Sequence, residues 1–105
     1  MGALPKKIKV GIHEYRVEFC DMENLGLCDN NAKVISIQRG VLPTVGLVIL
    51  FHEMLHAVSS VSNLRLFEII EGEVDEDKLD GCAEWLCMVL KNNPEFTKLF
   101  LERKP

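Results

Sequence analysis

Residues 43–60, PTVGLVILFHEMLHAVSS, constrain this chain more than any other stretch. Pro43 suits a first helical turn and Thr44 an N-cap. From there Val45, Leu47, Val48, Ile49, Leu50, Phe51, Met54, Leu55 and Val58 leave almost no polar side. A helix apolar all round is expected at the centre of a domain, buried by its neighbours. Yet His52, Glu53 and His56 sit in the middle of it. An ionised carboxylate in that setting is very costly unless something pairs with it. The rest of the fold must wrap this helix and supply partners for its polar centre.

Upstream, KIKV and HEYRVEF alternate in polarity on either side of Gly11. They predict two strands of a hairpin or meander, with Tyr15, Val17 and Phe19 on one face. DNN at 29–31 is a turn signal. It precedes AKVISIQ, a third strand in which Ile35 and Ile37 face one way and Val34, Ser36 and Gln38 the other. Downstream, SSVSN ends the central helix, and LRLFEIIEGEV has no decisive period. Asp75 reads as the N-cap of a second long helix, with Glu76 and Asp77 in the first turn, where the helix dipole favours negative charge. That helix runs through LDGCAEWLCMVLKN. Pro94 closes it and opens a short last helix, EFTKLFLER. About three strands followed by three helices make an α+β fold. The 105 residues are one domain's worth, 1–105.

The charge balance narrows the function classes. Lys plus Arg number 12 against 16 for Asp plus Glu, a net charge of −4, which argues against a nucleic-acid surface. The longest apolar run, VGLVILF, is too short to span a bilayer and meets His-Glu at once, so no membrane role is expected. The opening MGALPKKIKV lacks the apolar stretch of a secretory signal. A cytoplasmic setting with reduced thiols is therefore expected. Cys20, Cys28, Cys82 and Cys87 match neither CxxC nor a zinc ribbon, and are expected as small core residues.

His52 and His56 are four apart on a helix, so their imidazoles stack on one face and can reach a single metal ion. Glu53, beside the first histidine, can hold a water. This is the HExxH arrangement, two zinc ligands and a general base. A bound cation would also offset the buried carboxylate. A catalytic zinc site needs a third protein ligand, and His13 is far upstream on a strand. The acids downstream are Glu68, Glu71, Glu73, Asp75, Glu76, Asp77, Asp80 and Glu84. Within EDKLD, Glu76 and Asp80 are four apart and point the same way on a helix. One could bind the metal while the other orients a ligand imidazole.

HEMLHAV followed after twenty residues by EDKLD resembles the gluzincin metallopeptidases, the group that includes thermolysin. The small size and the strands preceding the helix are similar to the minimal phage-associated zincins and the ImmA/IrrE metallopeptidases. The resemblance is specific over roughly 51–80 and loose elsewhere. It implies that His52, His56 and Glu76 bind one zinc ion per chain, that Glu53 is the general base, and that Asp80 bonds His52. Asp80 and Glu84 lie on the same stripe as Glu76 and compete for the role of third ligand. Glu76 is preferred because its side chain is long, its spacing matches the gluzincin pattern, and only this choice gives Asp80 a task. The thermolysin-like segments that stabilise the oxyanion have no counterpart here, and His13, Tyr15, Arg16 and Arg39 carry no motif that would assign one of them.

The resemblance further implies hydrolysis of a peptide bond in a protein or peptide substrate, which would pair as an extra strand along 33–38. The competing expectation is a non-catalytic, zinc-stabilised interaction module that retains the HExxH residues.

Overall fold

Strands β1 (Lys7–Val10) and β2 (His13–Cys20) form the expected hairpin, paired antiparallel from Lys7↔Arg16 to Val10↔His13. Gly11 makes the turn at φ +63, a conformation that side-chain-bearing residues avoid. The structure, a computed structural model, describes residues 4–102. A third strand, β3 (Gly26–Asp29), follows, which the sequence pattern does not announce, and then β4 (Val34–Gln38). The sheet order is β1-β2-β4-β3, with β4 parallel to β2 and antiparallel to β3. The expected sheet of about three strands therefore has four, and β4 is interior. Its backbone groups are taken on both sides, so the expected pairing of a substrate along 33–38 is not available. The edge strand on that side is β3.

One sheet face carries the main core. Val10, Tyr15, Val17, Ile35 and Ile37 pack with Ile49, Leu50 and Ala57 of α1 (Pro43–Ser62). The alternation read from HEYRVEF and AKVISIQ is what places them there. Phe19 continues that alternation but is exposed. Leu42 caps α1 and Pro43 is in its first turn, so Thr44 is inside the helix; Asn63 ends it in the left-handed region at φ +57.

A small hairpin, β5 (Glu68–Ile70) and β6 (Glu73–Val74), leads to α2 (Glu76–Asn92). The Asp75 carboxylate accepts the Lys78 N–H at 3.0 Å, the cap that its position suggested. Leu79 and Ala83 are fully buried against Leu55, flanked by Phe51, Phe67 and Cys82. Phe67 sits at φ +63, a strain of roughly 1–3 kcal/mol that persists only where packing enforces it. Its carbonyl accepts the Asp75 N–H at 2.7 Å, which fixes the start of α2. Helix α3 (Pro94–Glu102) is tied to the end of α2 by Thr97, whose hydroxyl donates to the Leu90 carbonyl at 3.1 Å. Arg103, read as part of that helix, lies outside the described residues.

Helix α1 is not buried all round. By length and composition it could cross a membrane, but here one side lies on the sheet and another on α2. Val45 and Leu47, in its first two turns, are exposed and line an apolar groove between α1 and α2. The four cysteines are free and half-buried rather than core residues.

Candidate metal centre

The polar centre of α1 meets the first turns of α2. His52 and His56 stack with ring centroids 5.2 Å apart, as spacing by one helical turn requires. Glu76 Oε1 lies 2.8 Å from His56 Nε2 and 3.5 Å from His52 Nε2. One ligand atom from each of the three residues lies within 4.8 Å of the others. Two imidazole nitrogens and a carboxylate oxygen are the donor set that divalent transition metals prefer. His52, His56 and Glu76 therefore form a group that can hold a metal ion.

Asp80, one turn after Glu76, approaches the far side of His52, with Oδ1 3.3 Å from Nδ1. An ionised carboxylate can only accept, so this contact favours a proton on Nδ1. In the neutral ring the lone pair is then on Nε2, which faces the group. Glu84, one turn further, is exposed on the wall of the apolar groove and is not in the group. Of the two competitors for the third position, one touches a ligand's back and the other lies away.

Glu53 is the only buried charged residue among those described, 7% exposed. Its Oε2 is 3.8 Å from His52 Nε2, beside the group. Burial pushes its carboxyl above the ordinary range; the neighbouring histidines pull it back, and the charge of Glu76 adds to the rise. A raised value brings a carboxylate nearer to what a general base needs at neutral pH.

Strand β3 forms the other wall. Gly26 lies so close to α1 that a Cβ there would be 2.6 Å from Ile49 Cγ2 and 3.0 Å from Glu53 Oε2. Only glycine lets the edge strand cross Glu53 at this distance. A cavity of about 440 Å³ opens between β3 and the two helices, lined by Gly26, Cys28 and Asn30 together with His52, Glu53, His56 and Glu76. The apolar groove, about 940 Å³, joins it at Gly26, His52 and Glu53. It runs between Val45, Leu47 and Val48 of α1 and Cys87 and Met88 of α2.

The residues of β3 and its turn escape sequence reasoning. The available signal was Gly26 itself, since a glycine within a strand marks a close approach. Cys28 has its thiol pushed up to about 12, by burial first and then by the charges of Glu53 and Asp29, against a smaller opposing effect of Lys33. Tyr15 is a packing residue, fully buried, whose hydroxyl bonds Asn30. His13, Arg16 and Arg39 do not line the cavity.

No family model matches the chain, and no curated protein or solved structure matches it.

Proposed function

We propose that this protein is a zinc-dependent peptidase. The observation that carries the reading is the division of labour around α1. Three residues converge through donor atoms, while the buried Glu53 stands beside them without joining them. A merely structural zinc site is closed by four protein ligands and has no use for a buried carboxylate next to it. His52, His56 and Glu76 would hold the ion, with Asp80 fixing the tautomer of His52.

Zinc in such a site lowers the pKa of water and polarises a carbonyl. Glu53 accepts a proton from a water in the cavity as the water oxygen attacks the scissile carbon. The C–N bond breaks, and Glu53 delivers that proton to the departing amine. An extended peptide would add to the free edge of β3, the strand that walls the cavity, rather than to β4. The apolar groove beside Glu53 would take an apolar side chain. A cytoplasmic setting is part of the same proposal and rests on the sequence reading alone.

The test is hydrolysis of a mixed-sequence peptide library by zinc-loaded protein, read by mass spectrometry. Glu53→Gln should keep the metal and lose cleavage, because an amide can hold a water but not take its proton. Equal cleavage by parent and variant would remove Glu53 from the role. Zinc binding without cleavage of any peptide by the parent would favour the non-catalytic module instead.

A further inference from the structure

A peptidase site also needs a donor for the substrate's carbonyl oxygens. The turn between β3 and β4 holds a side chain suited to that. Asn30 lines the same cavity as His52, Glu53, His56 and Glu76. Its amide oxygen is occupied: the Tyr15 hydroxyl donates to Oδ1 at 2.8 Å and the Cys28 thiol at 3.4 Å. The hydroxyl of a fully buried tyrosine is thus spent on one asparagine. The turn around it is also held. Asp29 Oδ1 accepts the N–H groups of Asn31 and Ala32, at 3.0 and 2.9 Å. The Lys33 ammonium donates to the Asn30 carbonyl at 2.6 Å and lies 5.5 Å from the centre of the Tyr15 ring.

The other end of the amide is free. Among the described residues, Asn30 Nδ2 donates to no protein acceptor, and no buried side-chain nitrogen or oxygen lacks a partner. Nδ2 is therefore accessible rather than sealed in the core, on a residue that lines the cavity. In this orientation Oδ1 takes both contacts, and the tyrosine hydroxyl and the thiol each have a proton to give it. An amide held at its oxygen leaves its two N–H groups as donors that need little reorganisation to meet a carbonyl oxygen.

We propose that Asn30 is a substrate-positioning residue: its amide N–H₂ donates to a backbone carbonyl of a peptide bound in the cavity, and Tyr15 holds it in that orientation. The proposal rests on the metallopeptidase reading.

The experiment compares inhibitors that differ in what they offer Asn30. Acetohydroxamate can chelate zinc but has no further carbonyl. Two leucine dipeptide hydroxamates extend a peptide to one side of the chelating group or to the other. Kd values are measured on zinc-loaded parent, Asn30→Ala, Asn30→Asp and Tyr15→Phe, with zinc affinity followed separately by chelator competition. Asn30→Asp keeps an oxygen for Tyr15 and Cys28 and replaces only the donor, so it serves even if Asn30→Ala fails to fold. Its added charge acts on the chelating group of all three probes alike and adds repulsion toward the extra carbonyl, so its effect is no smaller than that of Asn30→Ala.

The preference for one dipeptide hydroxamate over acetohydroxamate should fall about five- to tenfold in both Asn30 variants, the worth of one hydrogen bond. It should fall less in Tyr15→Phe, with zinc affinity held in all three. An unchanged preference for both dipeptides overturns the role of Asn30 while leaving the metallopeptidase reading in place. So does a loss of zinc affinity that accounts for the whole effect. A parent that takes up zinc but binds no hydroxamate overturns the metallopeptidase reading and the positioning role together.

Discussion

The two helices that build the metal group are held in place by different means. Helix α1 lies on the sheet, where eight residues form one buried cluster that includes Tyr15, Ile35, Ile37 and Leu50. Helix α2 rests on a cluster of three, Leu55, Leu79 and Ala83. Its outer face is exposed, with Trp85 67% accessible. The side chains follow the same division: His52 and His56 are largely covered, whereas Glu76 and Asp80 are more than half exposed. Half of the site is therefore preorganised by the core. The other half is brought to it by a lightly anchored helix, so an ion shared by the two halves would be one of the main ties between them. Binding of the ion and docking of α2 would then be one event.

The largest expected effect follows from removing that tie. Chelation, or His56→Ala, should leave the amides of β2 and β4 protected against hydrogen exchange while those of α2 exchange much faster. In the chelated parent, zinc returned at a thousand times its Kd would restore about 4 kcal/mol; His56→Ala would not respond. Uniform loss of protection across sheet and helix would mean that the two regions are one cooperative unit. Next comes Leu79→Ala, which removes the largest buried side chain under α2. It should cost about 2–5 kcal/mol, as such truncations do, and weaken zinc binding although it touches no ligand. Zinc affinity equal to the parent's would separate helix docking from metal binding.

Asp80→Asn should reduce zinc affinity by about 10–100-fold, through loss of the carboxylate that fixes His52. Chelator competition would measure it, and Glu76→Ala should lose more. The smallest effect concerns the metal-free protein. Glu53 has a folded-state pKa above its ordinary 4.5, so its protonated form is favoured by the fold. The resulting stability is fully present below the ordinary value and is lost as pH rises through the raised one. Glu53→Gln does not titrate. It should therefore melt higher than the metal-free parent at pH 7, with the gap closing in acid. A gap that widens in acid would contradict the assignment of burial as the cause.

What could be read from the sequence was local. Residues four apart on a helix share a face whatever surrounds them, so His52 and His56, and likewise Glu76 and Asp80, were legible as pairs. Asp75 was legible as a cap because its partner is three residues on. That the two pairs meet was reached only through the resemblance to gluzincins, since no periodicity says which turn of α2 faces which turn of α1. The edge of the sheet was not legible. GLCD is too short and too mixed to show alternation, and it becomes a strand through pairing with β4. Strand order is set by contacts distant in sequence, which is why β4 looked like an edge and is not. Asn30 was hidden for the same reason. DNN reads as a turn, and nothing in those letters shows that Tyr15, fifteen residues away, orients the middle one.

The central claim is that His52, His56 and Glu76 hold one zinc ion. It is tested most directly by elemental analysis of dialysed protein after zinc loading, for the parent beside His56→Ala and Glu76→Ala. The account predicts one zinc per chain in the parent and none in His56→Ala. It predicts a strongly reduced content in Glu76→Ala. A parent that retains no zinc, or a Glu76→Ala protein that retains a full equivalent, would contradict it.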